Sequence, residues 1–271
     1  SYLPHLDYDL QRYGPDLSHP AVRKSLQDID AVCGRMIEAA EREGRSVIVV
    51  SEYGITPVRD AIHVNRTLRH AGLIRVRDEM GRDVFDAGAS RAFAVADHQL
   101  AHVYVRDPGD IRQVGDLLAG LDGVETVLDE AGKRAAGLDH PRSGELVAIS
   151  AADRWFSYYY WLDDERAPDY ARTVDIHRKP GYDPVELFVD PAIRFAHGAI
   201  GWRLAKRKLG LRTLLDVISL KDTNLVKGSH GRLTDNPEDG PLVISSRPEL
   251  LPEGEVAATD FKQLVLDHVF A

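Results

Sequence analysis

The chain has 271 residues, of which 44% are hydrophobic and 28% charged, and its formal net charge at neutral pH is -9. That balance predicts a soluble α/β domain with an ample core and argues against a disordered polymer, broad binding to nucleic-acid polymers or adhesion to anionic membranes. Cys33 is the only cysteine, so neither an intrachain disulfide nor a thiolate metal cluster can form, and a reducing, cytoplasmic setting is expected.

The first residues, Ser1-Tyr2-Leu3-Pro4-His5, lack an initiating Met and read as the end of a strand, so the expectation is a chain without its N-terminal part. From Lys24 to Gly44, Leu26, Ile29, Val32, Cys33, Met36, Ile37 and Ala40 recur at three- and four-residue spacing, the mark of one buried helix face. The β-branched run Ser46 to Val50 then predicts a strand covered on both faces in a parallel sheet. This helix-then-strand order predicts a doubly wound, mostly parallel α/β sheet with helices on both faces. In such sheets chemistry gathers in loops beyond the carboxyl ends of strands. Two such loops are expected, at Asp7-Tyr8-Asp9 and at Ser51-Glu52-Tyr53-Gly54.

Further along, Ala92 to Ala96, Ala101 to Val105 and Val124 to Leu128 read as strands and Asp110 to Leu121 as a helix. A smaller inserted α+β subdomain is therefore expected over about residues 61–144 within a single domain spanning 1–271. Glu145 to Ser150 and Trp155 to Trp161 are strand-like; the aromatic residues of the second run suit a base-stacking platform or packed core, and packed core is the favoured reading. A long ordered loop is expected from Ala167 to Pro191, and a basic helical segment from Trp202 to Leu209 with a solvated face. No stretch approaches the roughly 18 consecutive apolar residues of a membrane span, so no membrane insertion is expected.

Three segments set potential ligands beside glycine: Asp7 to Pro15, Ser51-Glu52-Tyr53-Gly54, and Gly228-Ser229-His230-Gly231. Each alone is weak, because loop carboxylates commonly cap helices and a lone histidine is commonly structural. Their order resembles that of type I phosphodiesterases and nucleotide pyrophosphatases, in the alkaline phosphatase superfamily. That family carries Asp-x-x-x-His-x-Tyr-Gly-Pro, then a strand ending in Ser-Asp-His-Gly, and much later Gly-x-His-Gly. Asp7 and Tyr13-Gly14-Pro15 match the first motif, Ser51 and Gly54 bracket the second, and His230 falls in the third. Asn65, Leu68 and Gly72-Leu73-Ile74 extend the match.

The resemblance implies an alkaline-phosphatase-like fold and metal-dependent hydrolysis of a small phosphorylated substrate, with zinc as the family's metal and manganese or magnesium as alternatives. It implies metal-ligand roles for Asp7, Glu52 and His230. The departures matter equally. Gln11 stands where the family has its first histidine, and Glu52-Tyr53 replaces Asp-His. Gln11 and Tyr53 then belong to the first or second coordination sphere, and Gln11's neutral oxygen suits magnesium, calcium or manganese better than zinc. His63 and His98 are candidate replacement ligands, although satisfied histidines are the commoner case. The run Asp175 to Pro184 offers His177, Arg178 and Lys179 to an anionic substrate, or forms a salt-bridged loop.

The family draws its hydroxyl nucleophile from a segment before the one matching Asp7, and six residues precede Asp7 here. The nucleophile is accordingly expected outside this chain. Two other readings stay open: a phosphate-ligand binding protein of the same fold that has lost turnover, and a phosphomutase or transferase.

Overall fold

A computed structural model describes residues 1–271. The helices are α1 (His5–Tyr13), α2 (Pro20–Arg42), α3 (Val64–His70), α4 (Ile111–Ala119), α5 (Glu130–Ala135), α6 (Ala196–Lys208) and α7 (Phe261–Phe270). The first six strands are β1 (Ile48–Val50), β2 (Thr56–Pro57), β3 (Asp60–Ile62), β4 (Val76–Glu79), β5 (Arg82–Phe85) and β6 (Ala92–Asp97). The other six are β7 (Leu100–Val105), β8 (Val124–Leu128), β9 (Leu146–Ser150), β10 (Arg154–Phe156), β11 (Gly228–Ser229) and β12 (Val243–Ser245). The chain divides into two compact units, residues 1–55 with 233–271, and residues 56–232.

In the first unit, α2 begins ahead of the apolar run expected from Lys24, with Pro20 at the first helical position and His19 Nδ1 accepting from the Ala21 amide at 3.3 Å. That run is not one buried face, since only Val22 and Ser25 of the helix are buried while Leu26 and Met36 are exposed. Gly44, at φ 66°, takes the left-handed conformation that ends it. Other expectations for this unit also change. Tyr2-Leu3 is not a strand, and Asp7 lies on helix α1 rather than in a loop. The reason is local: acidic Asp7 falls in the first turn and Arg12 in the last, matching the helix dipole, and Gly14 at φ 78° closes the end through its amide to Leu10 O at 2.9 Å. Strand β1 pairs antiparallel with β12 (Ile48↔Ser245, Val50↔Val243) and Val50 is 48% exposed, so β1 is not the doubly covered strand its composition suggests.

The second unit holds the large core. A four-stranded antiparallel sheet in the order β6-β7-β9-β8 alternates buried and half-buried residues along β6 and β7. Leu68 and Leu73 pack on its buried face with Val114, Leu118 and the aromatic run Tyr158 to Trp161. The segment 61–144 lies wholly in this unit, and its sheet also takes in β9. Strand β10 stops at Phe156, so the aromatic run is packed core without being a strand: Tyr158, Tyr159, Tyr160 and Trp161 are all buried on irregular backbone. Their polar ends are tied off in part, with Trp161 Nε1 donating to Asp164 at 2.9 Å and the Tyr160 and Tyr170 hydroxyls 2.7 Å apart.

Two short ladders place functional segments. Strand β3 pairs with β10 in parallel, so His63 and Ser157 follow adjacent carboxyl ends, while β11 pairs with β2 and fixes Ser229 opposite Thr56. The expected loop after Ala167 is present as a series of short turns with Val185 fully buried.

Candidate functional site

In the first unit, the i, i+4 spacing of Asp7 and Gln11 on α1 puts both side chains on one face. Gln11 Nε2 donates to Asp7 Oδ2 at 2.9 Å, and the Tyr53 hydroxyl lies 3.5 Å from Asp7 Oδ1. The carboxylate needs donors, which sets the Gln11 amide with its nitrogen toward Asp7. Its oxygen, Gln11 Oε1, is then buried without a hydrogen-bond partner. Burial raises the Asp7 pKa, and the two hydrogen bonds oppose that rise without cancelling it. Tyr53 is delivered by the loop after β1, which Ser51 fixes: its amide donates to Leu242 O at 3.0 Å and its Oγ accepts from the Leu242 amide at 2.9 Å. Gly54 is required there, because a Cβ at this position would overlap the Asp239 carbonyl oxygen. Exposed Glu52 occupies the same loop. Asp7, Glu52 and Tyr53 line a cleft of about 600 Å³ whose remaining walls include Leu10, Ile37 and Val49.

In the second unit, His230 follows β11 and is half-buried, and burial lowers its pKa to about 4. Its ring lies 3.8 Å from that of His98, and His98 also packs on Tyr182 with ring centroids 4.4 Å apart. Burial, then the neighbouring His230, pushes His98 well below the ordinary range. The sequence offers His98 as a replacement ligand with nothing to link it to His230, because their separation along the chain hides the contact.

The remaining candidates lie elsewhere in this unit. His63 hydrogen-bonds Ser157 Oγ through Nδ1 at 2.6 Å and stacks on Tyr159, and burial followed by the Arg66 charge lowers its pKa to about 4. Lys179 is sequestered, its ammonium 2.7 Å from Asp183 and 2.6 Å from Glu186 with no side-chain exposure. Such a pair of carboxylates satisfies the ammonium and leaves it no access to an anion from solvent. His177 and Arg178 stand exposed on a single helical turn beside it.

Within neither unit do three or more His, Cys, Asp or Glu side chains gather in a geometry that could hold a metal ion. The donors of the first unit nevertheless fit a hard cation in kind: two carboxylates, a phenol and an unpartnered buried amide oxygen, all oxygen ligands.

A comparison with known protein families matches residues 1–183 to type I phosphodiesterase / nucleotide pyrophosphatase. No curated protein sequence matches. Among solved structures, phosphonoacetate hydrolase from Sinorhizobium meliloti 1021 in complex with phosphonoformate is similar at a TM-score of 0.52 and 18% identity, over 97% of this chain and 49% of that one. Murine ectonucleotide pyrophosphatase / phosphodiesterase 5 gives 0.39 at 17% identity over 82% and 56% of the two chains. The chain thus spans about half the length of the phosphonoacetate hydrolase it matches. The first likeness gives the chain an alkaline-phosphatase-like α/β fold. No helix is long and apolar enough to cross a membrane. The three motifs in order, and a family match over more than half of its length, make this chain a member of the type I phosphodiesterase / nucleotide pyrophosphatase family.

Proposed function

We propose that the chain forms part of a metal-dependent hydrolase of phosphoric esters, in which Asp7 and Glu52 of the first unit give carboxylate oxygens to a divalent cation; within the second unit, His230 is proposed by itself as an imidazole metal donor. The observation that carries this reading is Gln11 Oε1, a buried acceptor without a partner beside the Asp7 carboxylate. A buried acceptor left so is costly unless something binds it. The all-oxygen donor set around Asp7 favours manganese or magnesium over zinc there. A cation so held polarises a phosphoryl oxygen and lowers the pKa of an attacking hydroxyl. Tyr53 would serve as a donor to the substrate anion. The substrate class is a small phosphorylated or phosphonate compound, by analogy with the similar phosphonoacetate hydrolase in complex with phosphonoformate.

A second reading has its own observation. Both Asp7 oxygens already have hydrogen-bond partners, and three-ligand clusters are absent from each unit. This arrangement supports a binding protein that keeps an anion pocket without turnover.

Metal content measured by mass spectrometry after purification without chelator separates the two. The hydrolase reading expects roughly one or two equivalents of divalent metal per chain, lost in Asp7→Ala and in His230→Ala, with bis-p-nitrophenyl phosphate hydrolysis by the whole protein falling in parallel. An absence of metal after loading with manganese, magnesium and zinc favours the binding protein.

A further inference from the structure

The hairpin between β6 and β7 turns on two residues, His98 and Gln99. Two-residue hairpins of this kind favour Gly or Asn, because the chain passes through the left-handed region. Here His98 occupies it, at φ 55°. A side chain in that conformation is strained, and it persists where the surroundings over-determine it.

They do so through five hydrogen bonds. His98 O accepts from the Phe156 amide at 2.7 Å, and Gln99 O accepts from the Ser150 amide at 3.0 Å. Gln99 Nε2 donates to Ala152 O at 2.9 Å and Arg154 O at 3.1 Å. The fifth is the informative one: the Gln99 amide donates to His230 O at 2.9 Å. The hairpin tip and the Gly-Ser-His-Gly segment therefore form one packed piece. Gly231 fits this junction, since at φ 107° a Cβ would stand 3.3 Å from Gln99 N.

The His98 ring completes the junction. It lies against His230 at 3.8 Å with the planes tilted by 36°, and its Nδ1 is 3.2 Å from Ser229 Oγ. Ser229 in turn is anchored in the β2–β11 ladder opposite Thr56. The backbone of His230 is thus fixed by Gln99 and by the ladder, and its ring has the face of His98 on one side. With its Nδ1 at Ser229 and only 4% exposure, His98 acts through its neighbour rather than on a ligand from solvent.

We propose that His98 is a positioning residue that holds the His230 imidazole in a single orientation, by packing its tilted ring against it and by bonding to Ser229. The consequence for metal binding rests on the reading of His230 as a metal donor; the positioning itself does not. Groups behind a metal ligand that fix its ring orientation commonly alter metal affinity 10- to 100-fold when removed.

His98→Asn is the main variant, because Asn tolerates the left-handed backbone and can still bond Ser229 while losing the ring packed against His230. His98→Phe keeps an aromatic face and loses the bond. Long-range imidazole nitrogen–proton spectra of the metal-free chain read the positioning. The expected result is that the His230 ring resonances move and broaden in His98→Asn and stay close to the native position in His98→Phe. Unchanged His230 resonances in His98→Asn overturn the proposal. Manganese titration of the same samples reads the consequence: a loss of affinity of about 10- to 100-fold in His98→Asn is expected. If the native chain binds no metal, the reading of His230 as a donor fails, and the spectra still decide whether His98 positions it. Thermal melts of both variants establish that the chain is folded in each measurement.

Discussion

The two units differ in how they bury their apolar residues. Residues 56–232 enclose a continuous core in which Leu68, Leu73, Leu118, Trp161 and the strands of the four-stranded sheet are almost without solvent contact. Residues 1–55 with 233–271 bury Val22 and Leu264 to that degree, while Leu26 at 41%, Val50 at 48% and Ile244 at 56% remain exposed. The first unit nevertheless carries Asp7, Gln11, Glu52 and Tyr53. Sparse burial lowers the free energy of local opening, so these donors sit on a frame more easily disturbed than the one that holds His230 and His98.

The largest test of this contrast is Leu68→Ala in the second unit against Leu26→Ala in the first. Removing the fully buried Leu68 side chain should cost about 2–5 kcal/mol in urea denaturation, whereas Leu26→Ala should stay within about 0.5 kcal/mol. Equal costs would erase the difference between the units.

Acid should act on the second unit through His63. Its folded pKa is lowered to about 4 from an ordinary 6.5, so the unfolded chain takes up a proton between these values and the native one does not. The stabilising contribution is present above pH 6.5 and is lost as the pH falls towards 4, to the extent of about 3 kcal/mol. Unfolding free energies measured across that window should fall less steeply in His63→Asn; an unchanged slope assigns the acid sensitivity to other groups.

A smaller effect is expected in the first unit from Gly54→Ala. The new Cβ meets the Asp239 carbonyl, so the loop carrying Glu52 and Tyr53 must shift. A cost of about 1–3 kcal/mol and weakened manganese binding follow from that displacement, read by melting and titration. Binding at native strength would show that this loop is not part of the cation seat.

Asp7→Asn should give the smallest change, and with the opposite sign. Because burial raises the folded Asp7 pKa, ionising the group at neutral pH costs the fold stability, and that cost is absent as the pH falls below its ordinary range. The metal-free variant should therefore melt slightly higher than the native chain at pH 7 while losing cation binding. A lower melting temperature would mean that the ionised carboxylate supports the fold rather than waiting for a cation.

Much of this molecule could be read from the chain. Helix α2 and the strands β6, β7 and 124–128 reappear as predicted, because each depends on pattern within a few residues, although the face of α2 expected to be buried is only half-buried, with Leu26 and Met36 exposed. The three motif segments point to the family that the match over residues 1–183 shows, despite the departures at Gln11, Glu52 and Tyr53. The loop expected at Asp7 rests on reading the first residues as the end of a strand, whereas Asp7 lies on α1 with its bonded partner Gln11 one helical turn away. What short-range pattern does not supply are the facts set by distant partners. The run from Trp155 to Trp161 has strand composition, but the ladder with β3 ends at Phe156 and side-chain packing takes over. The run holding Lys179 admits both a substrate contact and a salt-bridged loop, and the ion pairs with Asp183 and Glu186 decide for the loop at that residue.

The sequence by itself determined the fold class, the family and the chemical types of the donors, since these follow from residue identity and local spacing. Only the tertiary structure decided which of those donors meet. His98 and Ser229 are 131 positions apart and touch because the two-residue turn is tied by the Gln99 amide to the carbonyl of His230, the residue after a two-residue strand, a relation that no local pattern encodes.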